Sequence, residues 1–152
     1  MAAAPATKLT KADYEALAEF RYDLRKFLSF SETNAKTHGV SPQQYQALLA
    51  IEGFPGKRWV TMGELAEQMC IAHHTAVGMV DRMEKLALVD RHPLPEDRRR
   101  VQIALTRSGL RVLEKLYRVH WDELRSSGPE LIASLRKVSA RAGRGEGARR
   151  GR

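Results

Sequence analysis

Between Thr61 and Leu105 the chain sets two short helical segments end to end and follows them at once with two alternating apolar segments around a Pro-rich turn. Few folds accommodate that succession. Thr61-Met-Gly-Glu64 has the form of a capping box, in which a hydroxyl and a carboxyl three residues apart satisfy each other's free N–H groups. It opens a helix with Leu65, Ala66 and Met69 on one face, and Cys70-Ile71-Ala72 interrupts it. From His73 to Ala87, apolar residues recur at Ala76, Met79, Val80, Met83 and Leu86, the spacing of a helix with one buried stripe. The other face holds His73, His74, Val77, Asp81 and Arg82, with Gly78 beside it. Leu88-Val-Asp-Arg-His92 and Val101-Gln-Ile103-Ala-Leu105 read as strands joined through Pro93-Leu-Pro-Glu-Asp97-Arg98. A helix-turn-helix followed by a protruding hairpin predicts a winged helix.

Helices flank this stretch. Thr10-Lys-Ala-Asp13 is a second capping box, followed by Tyr14, Leu17, Phe20, Leu24, Phe27 and Leu28 at helical spacing. A helix over about 11–37 spans roughly 40 Å, more than a small domain needs for its own core, and a second copy of the chain can cover the excess. Gly39 stops that helix and Ser41-Pro-Gln-Gln44 starts another, with Tyr45, Leu48, Leu49 and Ile51 turned inward, ending near Gly53-Phe-Pro-Gly56. Trp59-Val60 suits a very short strand. Thr106 caps a helix carrying Leu110, Leu113, Leu116, Tyr117, His120 and Trp121, and Ser127-Gly-Pro129 has the form of a fresh start for a last helix with Leu131, Ile132 and Leu135. The expected fold is mostly α with a small β-hairpin. A winged helix-turn-helix lobe over about 41–105 is joined by a dimerisation layer from helices over about 11–37 and 107–137, between a flexible 1–9 and a tail.

Charge indicates the partner. Lys and Arg number 26 against 18 acids, giving a net charge of +8 and a pI near 10.0, which favours a polyanion. Residues 138–152 hold five Arg and one Glu but no large aromatic or aliphatic run, and are expected to be a disordered basic tail. In the folded part the cations concentrate at Arg98-Arg99-Arg100, on the turn of the hairpin. One cysteine excludes an intrachain disulfide, and neither a signal core nor an apolar run of the ~20 residues that span a bilayer is present. A soluble, cytoplasmic protein without a membrane partner is expected.

A helix in the major groove reads base edges with three or four side chains while nearby cations neutralise phosphates. His73, His74 and Thr75 stand in the first turn of the second helix, Val77 suits a thymine methyl, Gly78 permits close approach and Arg82 lies two turns on. At the turn of the hairpin, an arginine among Arg98, Arg99 and Arg100 can enter the narrow minor groove, with Asp97 expected to hold its neighbour's guanidinium by a charge-assisted bond. Tyr22, Phe30, His38, Tyr45 and Trp59 are candidates for a small-ligand cleft between the layers. No nucleophile, base and orienting group assemble, so neither catalytic residues nor a cofactor are expected. Cys70 and His74, with His73 adjacent, suit zinc by type, yet so few ligands in one turn make no closed tetrahedral site. Sensing through Cys70 remains an alternative, as does an architectural DNA binder without an effector.

The run Leu65 to Glu84, then Leu88-Val-Asp-Arg91, Asp97-Arg-Arg99 and Leu105-Thr106-Arg-Ser-Gly109, resembles the MarR family of bacterial transcription regulators over about residues 10–137. The resemblance implies a mostly helical homodimer gripping a pseudo-palindromic operator. It implies His73 to Arg82 in the major groove, Arg99 in the minor groove, and a small, often aromatic or phenolic ligand that releases DNA. Three positions depart from the family pattern. Ala72 stands where a capping Ser is usual, Cys70 where Gly often makes a left-handed turn, and Gly78 where a longer residue is common.

Overall fold

The computed structural model describes residues 8–147, in the order α1 (Lys11–Thr37), α2 (Pro42–Glu52), β1 (Trp59–Val60), α3 (Met62–Gln68), α4 (His73–Lys85), β2 (Val89–Pro93), β3 (Val101–Leu105) and α5 (Arg107–Gly147). The chain divides into two compact units, one of residues 31–119 and one made of the segments before and after it. Among the described residues no helix is long and apolar enough to cross a membrane.

In the unit of residues 31–119 the three strands lie antiparallel in the order β1-β3-β2. Trp59 pairs with Ala104 on one side of β3, and Val89 to Pro93 pair with Leu105 back to Val101 on the other. Leu48, Ile51, Val60, Leu65, Met83, Val89, Ile103 and Leu116 are fully buried in one core. Each such side chain contributes about 1.5–3 kcal/mol relative to exposure. The sequence places them there because α2, α3 and α4 each present one apolar stripe, while the middle of β3 points Ile103 inward.

Three helix ends in this unit close in the same way. The N–H groups of Val40, Ile71 and Leu88 reach back to the carbonyls of Ala35, Ala66 and Met83, and those of Gly39, Cys70 and Ala87 to Lys36, Glu67 and Glu84. This is the Schellman arrangement, which needs a left-handed residue and drops the next side chain onto the core. Gly39 adopts φ 80° without a Cβ penalty, whereas Cys70 at φ 52° and Ala87 at φ 54° carry one. The left-handed turn is therefore present at position 70 although the residue there is cysteine and not glycine. The pull of Ile71 onto the core and the two closing bonds hold it.

The start of α5 is locked to the corner after α4. Thr106 N–H donates to Leu88 O, its hydroxyl to Ala87 O at 2.6 Å, and Gly109 N–H donates to Thr106 Oγ1 at 2.9 Å. A Cβ on Gly109 would lie 2.0 Å from Leu88 O, so only glycine permits the approach.

In the other unit, Thr10 donates to Asp13 through both its N–H and its hydroxyl, and Arg141 of α5 donates to the same carboxylate at 2.9 Å. The Thr10 bonds first and the Arg141 guanidinium second hold the Asp13 carboxyl down at about 2. Lys137 grips Glu19 at 2.7 Å, and His120 is buried against the edges of Phe27 and Phe30.

Two expectations are corrected here. Ser127-Gly-Pro129 does not begin a new helix, because α5 runs through it with Pro129 inside. The Ser127 hydroxyl donates back to Glu123 O at 3.0 Å instead of capping forward. The stripe of Trp121, Leu124, Leu131, Leu135 and Val138 also stays in helical register across the site. The tail expected to be disordered from residue 138 is helical through Gly147, since Lys137 and Arg141 are tied to α1; residues 148–152, like residues 1–7, lie outside the described residues.

Candidate nucleic-acid interface

The helix-turn-helix is α3, the Cys70 corner and α4. Thr61 and Glu64 make both bonds of the capping box, and Lys57 donates to both Glu64 oxygens while its ammonium sits 3.7 Å from the Trp59 ring centroid. Burial pushes the Glu64 carboxyl up, but the bonds from Lys57 and Thr61 outweigh it and the net shift is downward. This cluster fixes the start of α3, and Leu65 and Ala66 anchor it to the core.

On α4, Ala76, Met79, Val80 and Met83 are buried. His74, Gly78, Asp81 and Lys85, at i, i+4, i+7 and i+11, run along the opposite side. His73, His74, Thr75 and Arg82 are exposed, and Val77 and Gly78 are partly so. Ala72 gives α4 no side-chain cap, and among the described residues neither histidine supplies one, while the N–H groups of Thr75 and Ala76 bond to Ala72 O. A Cβ on Gly78 would meet Arg82 Nη1 at an ordinary 3.5 Å, so this glycine is not required by packing. Its absence of a side chain keeps the middle of the exposed face flat.

The wing is β2, β3 and the turn between them. Leu94 N–H donates to Arg100 O and Arg100 N–H to Asp97 O, closing a tight tip on which Asp97, Arg98, Arg99 and Arg100 are all exposed. The Asp97 carboxylate accepts from the backbone N–H of Arg99 at 3.0 Å. That corrects the expected bond to a neighbouring guanidinium: the aspartate shapes the turn. An Asp side chain bonding two residues ahead is the usual Asx geometry. Among the described residues none of the three guanidinium groups pairs with a carboxylate, so their charge is available to an incoming anion.

Sequence reasoning passed over Arg91. From β2 it donates to Asp81 Oδ1 at 2.6 Å and to Glu84 Oε2 at 2.9 Å, joining the wing to α4. The i, i+3 spacing of Asp81 and Glu84, followed by an arginine on the next strand, was the available signal.

The five aromatic candidates do not share one setting. Tyr45 is buried in the winged unit's core, where burial pushes its phenol up, while Trp59 lies under Lys57 and His38 Nδ1 contacts Asn34 O at 2.8 Å. In the other unit Tyr22 is exposed beside Lys26, and Phe30 packs on His120. A cavity of about 80 Å3 in that unit is lined by Asp23, Lys26, Phe27, Glu123, Ser127, Glu130 and Leu131, none of the five. Cys70 is exposed, and among the described residues no three His, Cys, Asp or Glu side chains cluster to hold a metal ion.

The family model described as MarR family matches residues 38–100, which span α2, the helix-turn-helix and the tip of the wing. An uncharacterised HTH-type transcriptional regulator, YsmB of Bacillus subtilis, is 28% identical over 127 residues, 77% of this chain and 81% of its own. Over residues 38–100 the chain is similar to the MarR family. The fold agrees with that of solved MarR-family structures. AbsC, a MarR family transcriptional regulator from Streptomyces coelicolor, superposes with a TM-score of 0.70 at 22% identity, covering 82% of this chain and 84% of AbsC. MepR of Staphylococcus aureus, in a complex with DNA, gives 0.59 at 18% identity over 80% and 96%. The relative YsmB is described as a transcriptional regulator, and the solved structures share this chain's winged helix-turn-helix fold.

Proposed function

We propose that the protein is a homodimeric repressor that reads a pseudo-palindromic operator and leaves it when a small ligand binds. His73, His74, Thr75, Val77, Gly78 and Arg82 lie along the major groove, and Arg99 enters the adjacent minor groove, with Arg98 and Arg100 on phosphates and Asp97 shaping the tip. The observation that carries this reading is the pairing, within one folded unit, of an exposed and flat α4 face with a tip of three unpaired arginines. The first supplies base contacts and the second phosphate and minor-groove contacts. MepR, which shares the fold, is known as a DNA complex.

Dimerisation is supported by the other unit. Tyr14, Leu17 and Leu28 on α1 and Trp121, Leu124, Ile132 and Leu135 on α5 are exposed at helical spacing, a surface of the kind that marks an interface. Release by an aromatic or phenolic ligand rests on the family resemblance.

The test is a salt series on a selected operator and on random DNA. The reading expects a specific-to-nonspecific ratio of at least ~10³, and Arg99→Ala should flatten the salt slope by about one unit. A ratio near unity would replace it with an architectural binder.

A further inference from the structure

The α4 face that the proposed function lays against DNA contains two acids. Asp81 lies in line with His74 and Gly78, and Glu84 stands one turn further at the edge. Carboxylates at those positions repel the phosphate backbone, and helix spacing alone gives no reason for them in a DNA reader. Among the described residues Arg91 is the one cation paired with either group: its Nη2 meets Asp81 Oδ1 at 2.6 Å and its Nη1 meets Glu84 Oε2 at 2.9 Å, with 27% of its own side chain exposed. One guanidinium thus engages both acids through separate nitrogens, a geometry that its planar fork permits and a lysine does not. Arg91 stands on β2, whose register fixes it opposite Ile103, a fully buried residue of β3. It is therefore presented to α4 by the sheet.

We infer that Arg91 is a positioning residue for DNA binding, which discharges Asp81 and Glu84 and so makes the α4 face acceptable to a polyanion. The inference rests on the proposed α4 interface. Arg91 acts through the two acids and need not touch DNA itself. Removing it exposes two negative charges beside the phosphates, and removing the acids as well makes it dispensable.

The experiment uses the full chain and duplexes of about 30 bp, long enough for two half-sites one turn apart, from a random pool and from sequences selected out of it by the wild type. Arg91→Ala is expected to weaken both classes roughly tenfold at low salt, with the loss shrinking as added salt screens the charges. Adding D81N and E84Q to Arg91→Ala should restore wild-type affinity. The D81N/E84Q pair with Arg91 retained, which keeps the fold testable by a second route, should bind more tightly than wild type at low salt. A mechanical clamp would leave the triple variant as weak as Arg91→Ala and its loss independent of salt, and either result overturns the inference. A loss in the D81N/E84Q pair would also overturn it, since the acids would then be contacting DNA directly. If wild type binds and Arg91→Ala binds equally, this inference alone falls. If wild type binds neither duplex class, the proposed function falls with it.

Discussion

The two units spend their apolar residues differently. In the winged unit Leu48, Ile51, Leu65, Met83 and Ile103 are fully enclosed, and among its described large apolar residues only Leu49, Leu86 and Tyr117 are exposed. In the helical unit Trp121 is 58% exposed and Leu17 50%, while charged pairs such as Lys137 with Glu19 bind α1 to α5. The first unit has finished its own core and presents a surface suited to a polyanion. The second keeps apolar surface that water solvates poorly, which is what a subunit interface uses.

Glycine substitutions give the widest contrast between them. Gly109→Ala should cost more than about 3 kcal/mol in thermal or denaturant unfolding, because its Cβ would collide with Leu88 backbone at 2.0 Å. Gly128→Ala in the helical unit meets nothing within 4 Å and should instead stabilise by about 0.5–1 kcal/mol. Comparable losses at both positions would erase the distinction. Next in size, W121E combined with L135E should weaken self-association at least ~100-fold in analytical ultracentrifugation while the far-ultraviolet dichroism of the chain is kept. A double variant that remains as dimeric as wild type would remove these side chains from the interface.

A smaller effect probes the corner before α4. C70G should raise stability by about 1 kcal/mol, because glycine holds φ 52° without the left-handed penalty. DNA affinity should not change, and a fall in stability would show that the cysteine side chain contributes packing there. The smallest effect is in acid. Asp13 is depressed to about 2, so its bonds to Thr10 and Arg141 stabilise fully above the ordinary carboxylate range and are lost as pH falls from about 4 through 2. D13N should abolish that part of the acid transition, and an unchanged acid profile would count against the Asp13 contacts.

Much of the fold was legible because its punctuation is chemical. The boxes at Ser41 and Thr61 form as their residue types require, and the stripe from Ala76 to Met83 is buried as its period requires. The failures share a cause, which is that tertiary contacts overruled local preference. Ser127 and Pro129 carry a start signal, but the continuous stripe on α5 kept the helix going. Cys70 prefers right-handed backbone, yet packing of the partly buried Ile71 against the core and two closing bonds turned it left-handed. At the candidate interface, the exposed histidines and arginines were readable from helix phase and turn composition. Arg91 left only the i, i+3 pair of acids on α4 as a mark, since its partners lie ten and seven residues earlier on another element and the β2–β3 register is what aims it at them. The aromatic candidates were chosen by residue type, which cannot distinguish Tyr45 in a core from Tyr22 on a surface.

Hydroxyl-radical footprinting of the wild-type protein on a selected operator tests the central claim most directly. Two α4 helices and two wings from one dimer should protect two patches on the same face of the duplex, about 34 Å or one helical turn apart, with Arg99→Ala losing the flanking minor-groove protection alone. A single protected patch, or protection spread evenly along the duplex, would contradict the account.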